Sequence, residues 1–150
     1  MRLQSKIVIE RPPEQVWKFL GDIGNVAKWD RGVSSTTLTS AGPVAAGSSF
    51  DTLAHGSNPE KGRMSYRIAE TGSDRCVIDL TSSGGNARYF SSASWIFEVE
   101  PGPPEYCSLT CAAVFGLRAR YFFLAPMLYF MKRGIAKDLR NLKRVIEQNG

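Results

Sequence analysis

The chain has one histidine, three cysteines and no run of about 20 apolar residues. Each shortage excludes something. With His55 as the single histidine, any Ser–His or Cys–His catalytic device would have to be built on it. Cys76, Cys107 and Cys111 are odd in number and lack metal-ligand spacing, so neither a disulfide framework nor a metal site is expected. They read as small apolar packing residues, a reactive thiol being the alternative. The most apolar stretch, Tyr121–Met131, is too short to cross a membrane and contains Pro126. Met1–Ile7 has no apolar core of the kind a secretory signal carries, so the expected location is the cytoplasm. No internal repeat, low-complexity tract or linker interrupts the chain.

What remains is the composition of an ordinary globular protein of 150 residues, long enough for one domain, expected to span residues 1–150 without a metal or cofactor. The net charge of +5 is unevenly spread. From Leu117 onward there are eight Lys and Arg against two acidic residues, while the preceding chain carries eleven against twelve. The cations therefore belong to the C-terminal segment. A solvated helix face accounts for them, and so does peripheral attraction to an anionic membrane or an acidic partner. Nucleic acid is not expected, because no aromatics interleave with the helix charges to stack bases.

Hydrophobic periodicity orders the elements. Leu3–Glu10 is β-rich and predicts a first strand. Pro12-Pro13 stops it and opens a helix, since proline lacks only an N–H that the first helical turn leaves unpaired. Val16, Phe19 and Leu20 share one face of that helix, Gly21 is a plausible C-cap, and Asn25–Trp29 predicts a second short helix. The period then changes to two. Expected strands are Val33–Leu38, Ser48–Ala54, Arg63–Ala69, Cys76–Thr81, Ala87–Val99 and Tyr106–Phe115. The breaks carry turn chemistry, at Ala41-Gly42-Pro43, Gly56-Ser57-Asn58-Pro59, Thr71-Gly72-Ser73-Asp74, Ser83-Gly84-Gly85-Asn86 and Pro101-Gly102-Pro103-Pro104. Links this short favour an antiparallel meander.

Alternation places Phe50, Thr52, Ala54, Met64, Tyr66, Ile68, Cys76, Ile78 and Leu80 on the core face. On the last two strands it adds Tyr89, Ser91, Ala93, Trp95, Phe97, Val99, Cys107, Leu109, Cys111, Ala113 and Phe115. Asp51, Ser65, Arg67, Asp79, Ser92, Ser94, Glu98, Ser108 and Thr110 fall opposite. A long helix is expected from about Pro126 to Gln148, with Leu124, Leu128, Met131, Ile135, Leu139, Leu142 and Ile146 as one continuous apolar stripe. Asp138 lies at the edge of that stripe with no basic residue three or four positions away. Such a residue is a cavity-rim group, or it is solvated or bonded to a nearby loop.

This order, together with Pro12-Pro13-Glu14-Gln15-Val16-Trp17, Phe19-Leu20-Gly21-Asp22, Trp29-Asp30, Trp95-Ile96-Phe97-Glu98, Asp138-Leu139, Leu142-Lys143 and Glu147, resembles the START-like helix-grip superfamily. Within it the likeness is to the polyketide cyclase/dehydrase and lipid-transport (SRPBCC) group, over essentially the whole chain. The resemblance implies an α+β helix-grip fold: a curved antiparallel sheet of about seven strands around a long C-terminal helix, with two short helices after the first strand. It also implies an apolar cavity between sheet and helix, and lipids, quinones or polyketides as ligands.

Residues expected to meet such a ligand are Trp29, Phe50, Thr52, Tyr66, Ile78, Tyr89, Ser91, Leu109, Phe123, Met127, Met131 and Ile135. The apolar ones would desolvate it, while Tyr66, Tyr89, Thr52 or Ser91 would orient it. Each has core packing as its alternative. Acid–base chemistry needs titratable groups converging in the cavity. The face assignment offers no obvious base, and His55 alternates outward at a strand end. The leading expectation is therefore binding or transport of a small hydrophobic molecule. A polyketide aromatase/cyclase or dehydratase using polar cavity residues comes second, and a protein-interaction module third.

Overall fold

A computed structural model describes residues 1–56, 58–103 and 105–149. The expected turn positions Ser57 and Pro104 lie outside them. The described chain runs β1 (Arg2–Ile9), α1 (Pro13–Leu20), a 3-10 turn (Ile23–Asn25), α2 (Val26–Trp29), β2 (Val33–Leu38) and β3 (Ser49–Ala54). It continues with a one-turn α3 (Pro59–Gly62), β4 (Arg63–Thr71), β5 (Arg75–Leu80), β6 (Phe90–Pro101) and β7 (Cys107–Leu117). After a 3-10 segment (Ala119–Leu124) come α4 (Ala125–Leu128) and α5 (Met131–Asn149). No described helix is long and apolar enough to cross a membrane.

The strands form one sheet in the order β1-β7-β6-β5-β4-β3-β2, every neighbouring pair antiparallel. Strands β2 to β7 are the expected meander, and β1 closes on β7. Register fixes the inner face: Trp95 opposes Ala113, Phe97 opposes Cys111 and Val99 opposes Leu109. Ladder irregularities interrupt β2, β4 and β6. A bulge bends and twists its strand, which is how a seven-stranded sheet curves around a helix.

Helix α5 lies in that concavity against β1 and α2. Ile135, Leu139, Leu142 and Ile146 recur every three to four residues and are buried with Leu3, Ile9, Leu109 and Phe115. Its far end is tied down as well. The Glu147 side chain accepts from the Glu10 N–H (3.0 Å) and from Lys143 Nζ (2.5 Å), and Arg11 donates to the Glu147 carbonyl.

The C-terminal helix departs from expectation. Instead of one helix from Pro126, the chain makes the 3-10 segment, α4, a break at Tyr129–Phe130, and then α5. Around the break the N–H groups of Phe130, Lys132 and Arg133 bond three residues back, to Met127, Tyr129 and Phe130. The residues between Phe122 and Phe130 are apolar on every side, so a straight helix would bury only one stripe of them. The broken path packs Leu128 and Met131 against the core and leaves Phe122, Phe123, Met127, Tyr129 and Phe130 outside.

The start of β6 is the second departure. The ladder slips between Phe90 and Ser92, so Phe90 turns inward onto Phe115, with ring centroids 5.6 Å apart, and Ser91 is exposed. Ala87 belongs to a 3-10 turn (Gly85–Ala87) instead of the strand.

Candidate functional site

A cavity of about 330 Å³ opens between the inner face of the sheet, the segment from α1 to β2, and α5. Each wall follows from local chemistry. Pro12 and Pro13 set α1, whose Val16 is fully buried and whose Trp17 ring N–H donates to the Ser73 carbonyl (2.8 Å). Asp22 accepts from the Gly24 N–H (3.0 Å) and starts the 3-10 turn, which carries Ile23 into the cavity wall. The ring of Trp29, at the end of α2, meets Phe97 edge-on, centroids 6.1 Å apart. From the sheet, Phe50 stacks on Tyr66 at 5.5 Å, beside Thr52, Ile68, Cys76, Ile78 and Trp95. Ile135, Asp138 and Leu139 of α5 complete the lining.

Six of the twelve expected ligand residues meet here: Trp29, Phe50, Thr52, Tyr66, Ile78 and Ile135. The other six lie elsewhere, each for a structural reason. Ser91 is on the bulge and exposed. Tyr89 precedes β6, where its ring meets Tyr121 edge-on and its carbonyl accepts from the Arg118 N–H. Leu109 is fully buried in the core beneath α5. Phe123 and Met127 are exposed because the helix breaks, and Met131 packs on the core outside the cavity. His55 is exposed and away from the lining.

Sequence reasoning missed the acidic pair. Asp30 and Asp138 both line this apolar cavity. Asp30 ends α2, and its side chain accepts from the Gly32 N–H (2.9 Å). Asp138 accepts from the Arg31 N–H (3.3 Å), while Asn141, nearly one turn on, donates to the Trp29 carbonyl (3.0 Å). Helix α5 therefore holds the Trp29–Arg31 segment through two side chains. The edge-of-stripe position of Asp138 offered a cavity rim or a loop bond as alternatives, and the structure combines them. For Asp30 the signal was weak: a carboxylate directly after a buried tryptophan.

Burial moves both carboxyls the same way. Asp30 is raised above the ordinary carboxylate range by desolvation, against the Gly32 hydrogen bond. Asp138 is raised to about 6 by desolvation and by the charge of Asp30, against the backbone N–H and the charge of Arg31. The Tyr66 hydroxyl is raised by burial, with Trp95 and Thr52 opposing and Asp30 reinforcing. Burial and both carboxylates push the Cys111 thiol up, leaving it unreactive. The cavity thus holds two carboxyls raised by desolvation, Asp138 also by the charge of Asp30, and a phenol among apolar walls. Among the described residues no His/Cys/Asp/Glu cluster could hold a metal ion.

The sequence profile of the family described as polyketide cyclase / dehydrase and lipid transport matches residues 1–147. The chain belongs to this family. Solved structures agree on the fold. The aromatase/cyclase Zhui from Streptomyces sp. R1128 superposes with a TM-score of 0.80 at 12% identity, covering 99% of this chain and 94% of that one. Norcoclaurine synthase from Thalictrum flavum, in complex with a transition-state analogue, gives 0.77 at 8%, covering 99% and 95%. A protein from Thermobifida fusca gives 0.72 at 20%, covering 98% and 93%. No curated protein matches the sequence significantly. The helix-grip expectation therefore holds, and at these identities the likeness extends to the fold alone. Family membership supports hydrophobic ligand binding in general terms.

Proposed function

We propose that the protein binds a small hydrophobic molecule in this cavity, with one polar group of the ligand against Asp30, Asp138 and Tyr66. The observation that carries the reading is the composition of the lining: apolar walls with a few convergent polar groups, the usual arrangement of a small-molecule site. The volume is at the small end of the roughly 300–1,000 Å³ that such sites span. That favours a compact ligand over a long diacyl lipid, and an open cavity counts against a pure interaction module.

The acidic pair narrows the ligand further. A carboxylate ligand would set a third negative charge beside Asp30 and Asp138 in a poorly solvated place. A neutral carbonyl can instead accept from a protonated carboxyl or from the Tyr66 hydroxyl, and a neutral hydroxyl or phenol can also donate to an ionised carboxylate. The test is native mass spectrometry of the purified protein, with denaturing extraction of any passenger, followed by thermal shifts. Neutral quinones and phenolic polyketides should raise the melting temperature near pH 7.5, and fatty-acid anions should not. A protein that emerges empty and responds to none of them refutes the proposal.

One observation favours a second reading, a cyclase or dehydratase. A carboxyl raised to about 6 can take and return protons near neutral pH. In an aldol closure of a poly-β-ketone, an ionised carboxylate takes a methylene proton. The resulting carbon attacks a carbonyl, and that oxygen takes a proton from the protonated partner carboxyl or from Tyr66. In this reading Asp138→Asn abolishes turnover while ligand affinity stays within a few-fold. Equal loss of affinity and turnover would assign Asp138 to binding alone.

A further inference from the structure

The geometry points to a membrane-docking surface: the segment Arg118–Arg133 seats the protein on an anionic lipid bilayer, aromatic side chains inserted and cations against the phosphates. Ten large apolar side chains are exposed among the described residues, and five of them fall between Phe122 and Phe130. Phe122 is 62% exposed, Phe123 72%, Met127 66%, Tyr129 62% and Phe130 66%. The other five are scattered along the chain, which needs no explanation, but a cluster does.

Charge complementarity selects the occupant. Arg118, Arg120, Lys132 and Arg133 flank these side chains, and the sequence has no acidic residue from Tyr106 to Lys137. None of the four is ion-paired among the described residues. Two guanidiniums lie over the rings themselves, Arg120 at 5.2 Å from the Tyr121 centroid and Arg133 at 5.9 Å from that of Phe130. Cations and inserting rings thus share one surface, as a headgroup–acyl boundary requires. The backbone is suited to the same place. The segment is a 3-10 helix followed by α4, and the N–H groups of Tyr121 and Phe130 are bonded to the carbonyls of Arg118 and Met127. Helical backbone carries few unpaired polar groups into an apolar layer. No residue from Arg118 to Lys132 lines the cavity, so this surface is independent of what the cavity binds.

The test is co-sedimentation of the full chain with vesicles of equimolar phosphatidylcholine and phosphatidylglycerol, or of phosphatidylcholine alone. The protein should pellet with the anionic vesicles and bind the neutral ones at least roughly tenfold less, with added salt closing the gap. The triple variant Phe122→Ser, Phe123→Ser, Phe130→Ser should lose at least about tenfold in partitioning without a fall in melting temperature, because these rings already face solvent. Neutralising the four cations with glutamine should remove the dependence on anionic lipid. The proposal is overturned if neither vesicle pellets the protein, or if the aromatic variant binds as well as the parent. It is also overturned if the parent self-associates without vesicles and the variant does not, which would give the surface to a second copy of the chain.

Discussion

Replacing Asp138 by asparagine should stabilise the protein at pH 7.5 and flatten its stability between pH 4 and 6. Asp138 shifts from its ordinary 3.8 to about 6 because folding desolvates it beside Asp30. A shift of about two units corresponds to ~3 kcal/mol at 1.36 kcal/mol per unit. Asp138 is only half-buried, so solvent screening cuts the figure to about 1–1.5 kcal/mol. The sign follows from proton counting. A carboxyl with a raised folded pKa holds its proton more tightly in the folded chain than in the unfolded one. Between about 4 and 6 the folded state therefore carries more protons, and this group's contribution to stability falls as pH rises through that window. Above it the full penalty applies.

Asparagine keeps an oxygen that can accept from the Arg31 N–H and removes the charge. The variant should gain about 1 kcal/mol at pH 7.5, or about 2–4 °C in Tm for a chain of this size, and nothing below pH 4. Urea titrations of both proteins at half-unit steps from pH 4 to 7.5 measure this directly. Other groups contribute to the absolute profile, so the difference between the two curves is the quantity to read, and it reports the Asp30–Asp138 pair together. A difference that is constant across the range, or that grows toward low pH, refutes the coupled-carboxyl account.

Three further outcomes test the packing around the site. Leu109→Ala removes a fully buried side chain beneath α5 and should cost about 2–5 kcal/mol in urea unfolding. Gly85→Ala should destabilise by more than about 1 kcal/mol, because φ is +56° and a Cβ would come within 2.6 Å of the Lys61 carbonyl oxygen, whereas Gly84→Ala meets nothing within 4 Å and should be near neutral. Asn141→Ala frees the Trp29 carbonyl, and should cost about 1 kcal/mol and weaken ligand binding in the same thermal-shift assay through a looser Trp29–Arg31 segment.

How far the sequence could be read depended on the range of the interaction. The change of period together with the turn residues gave β2 to the residue and the other strands to within a few, and alternation was clearest in β3 and β7, which have one buried face. The proline pair, Gly21 and the stripe on α5 were equally legible. What failed was non-local or subtle. The β6 slip at Ser91 leaves no mark in the sequence beyond a pair of serines, and it reversed the expected position of Ser91. The helix break at Tyr129–Phe130 falls where every residue is apolar, so periodicity carried no information. Asp30 and Asp138 are 108 positions apart, and their meeting needed the whole sheet to curl. Each carboxylate alone resembled an ordinary loop or rim residue, and neither belongs to the sheet, so the face assignment of the strands could not bring either into the cavity.

The two polar features of this chain have opposite signs, and their positions give that opposition a use. The basic excess lies outside, in the C-terminal segment, and the half-buried acidic pair lines an apolar cavity. A surface that attracts phosphates and a cavity that repels anions would together sort molecules at a bilayer. Anionic headgroups would be held at the surface, while a neutral apolar molecule dissolved among the acyl chains would find a site matched to it. On the two proposals together, the membrane would supply the ligand at high local concentration, so the cavity would not need to bind it tightly from water. If both proposals hold, uptake should be faster from anionic vesicles loaded with a neutral ligand than from neutral vesicles with the same load. The aromatic-to-serine variant should lose that rate advantage while keeping the same equilibrium affinity for ligand free in solution.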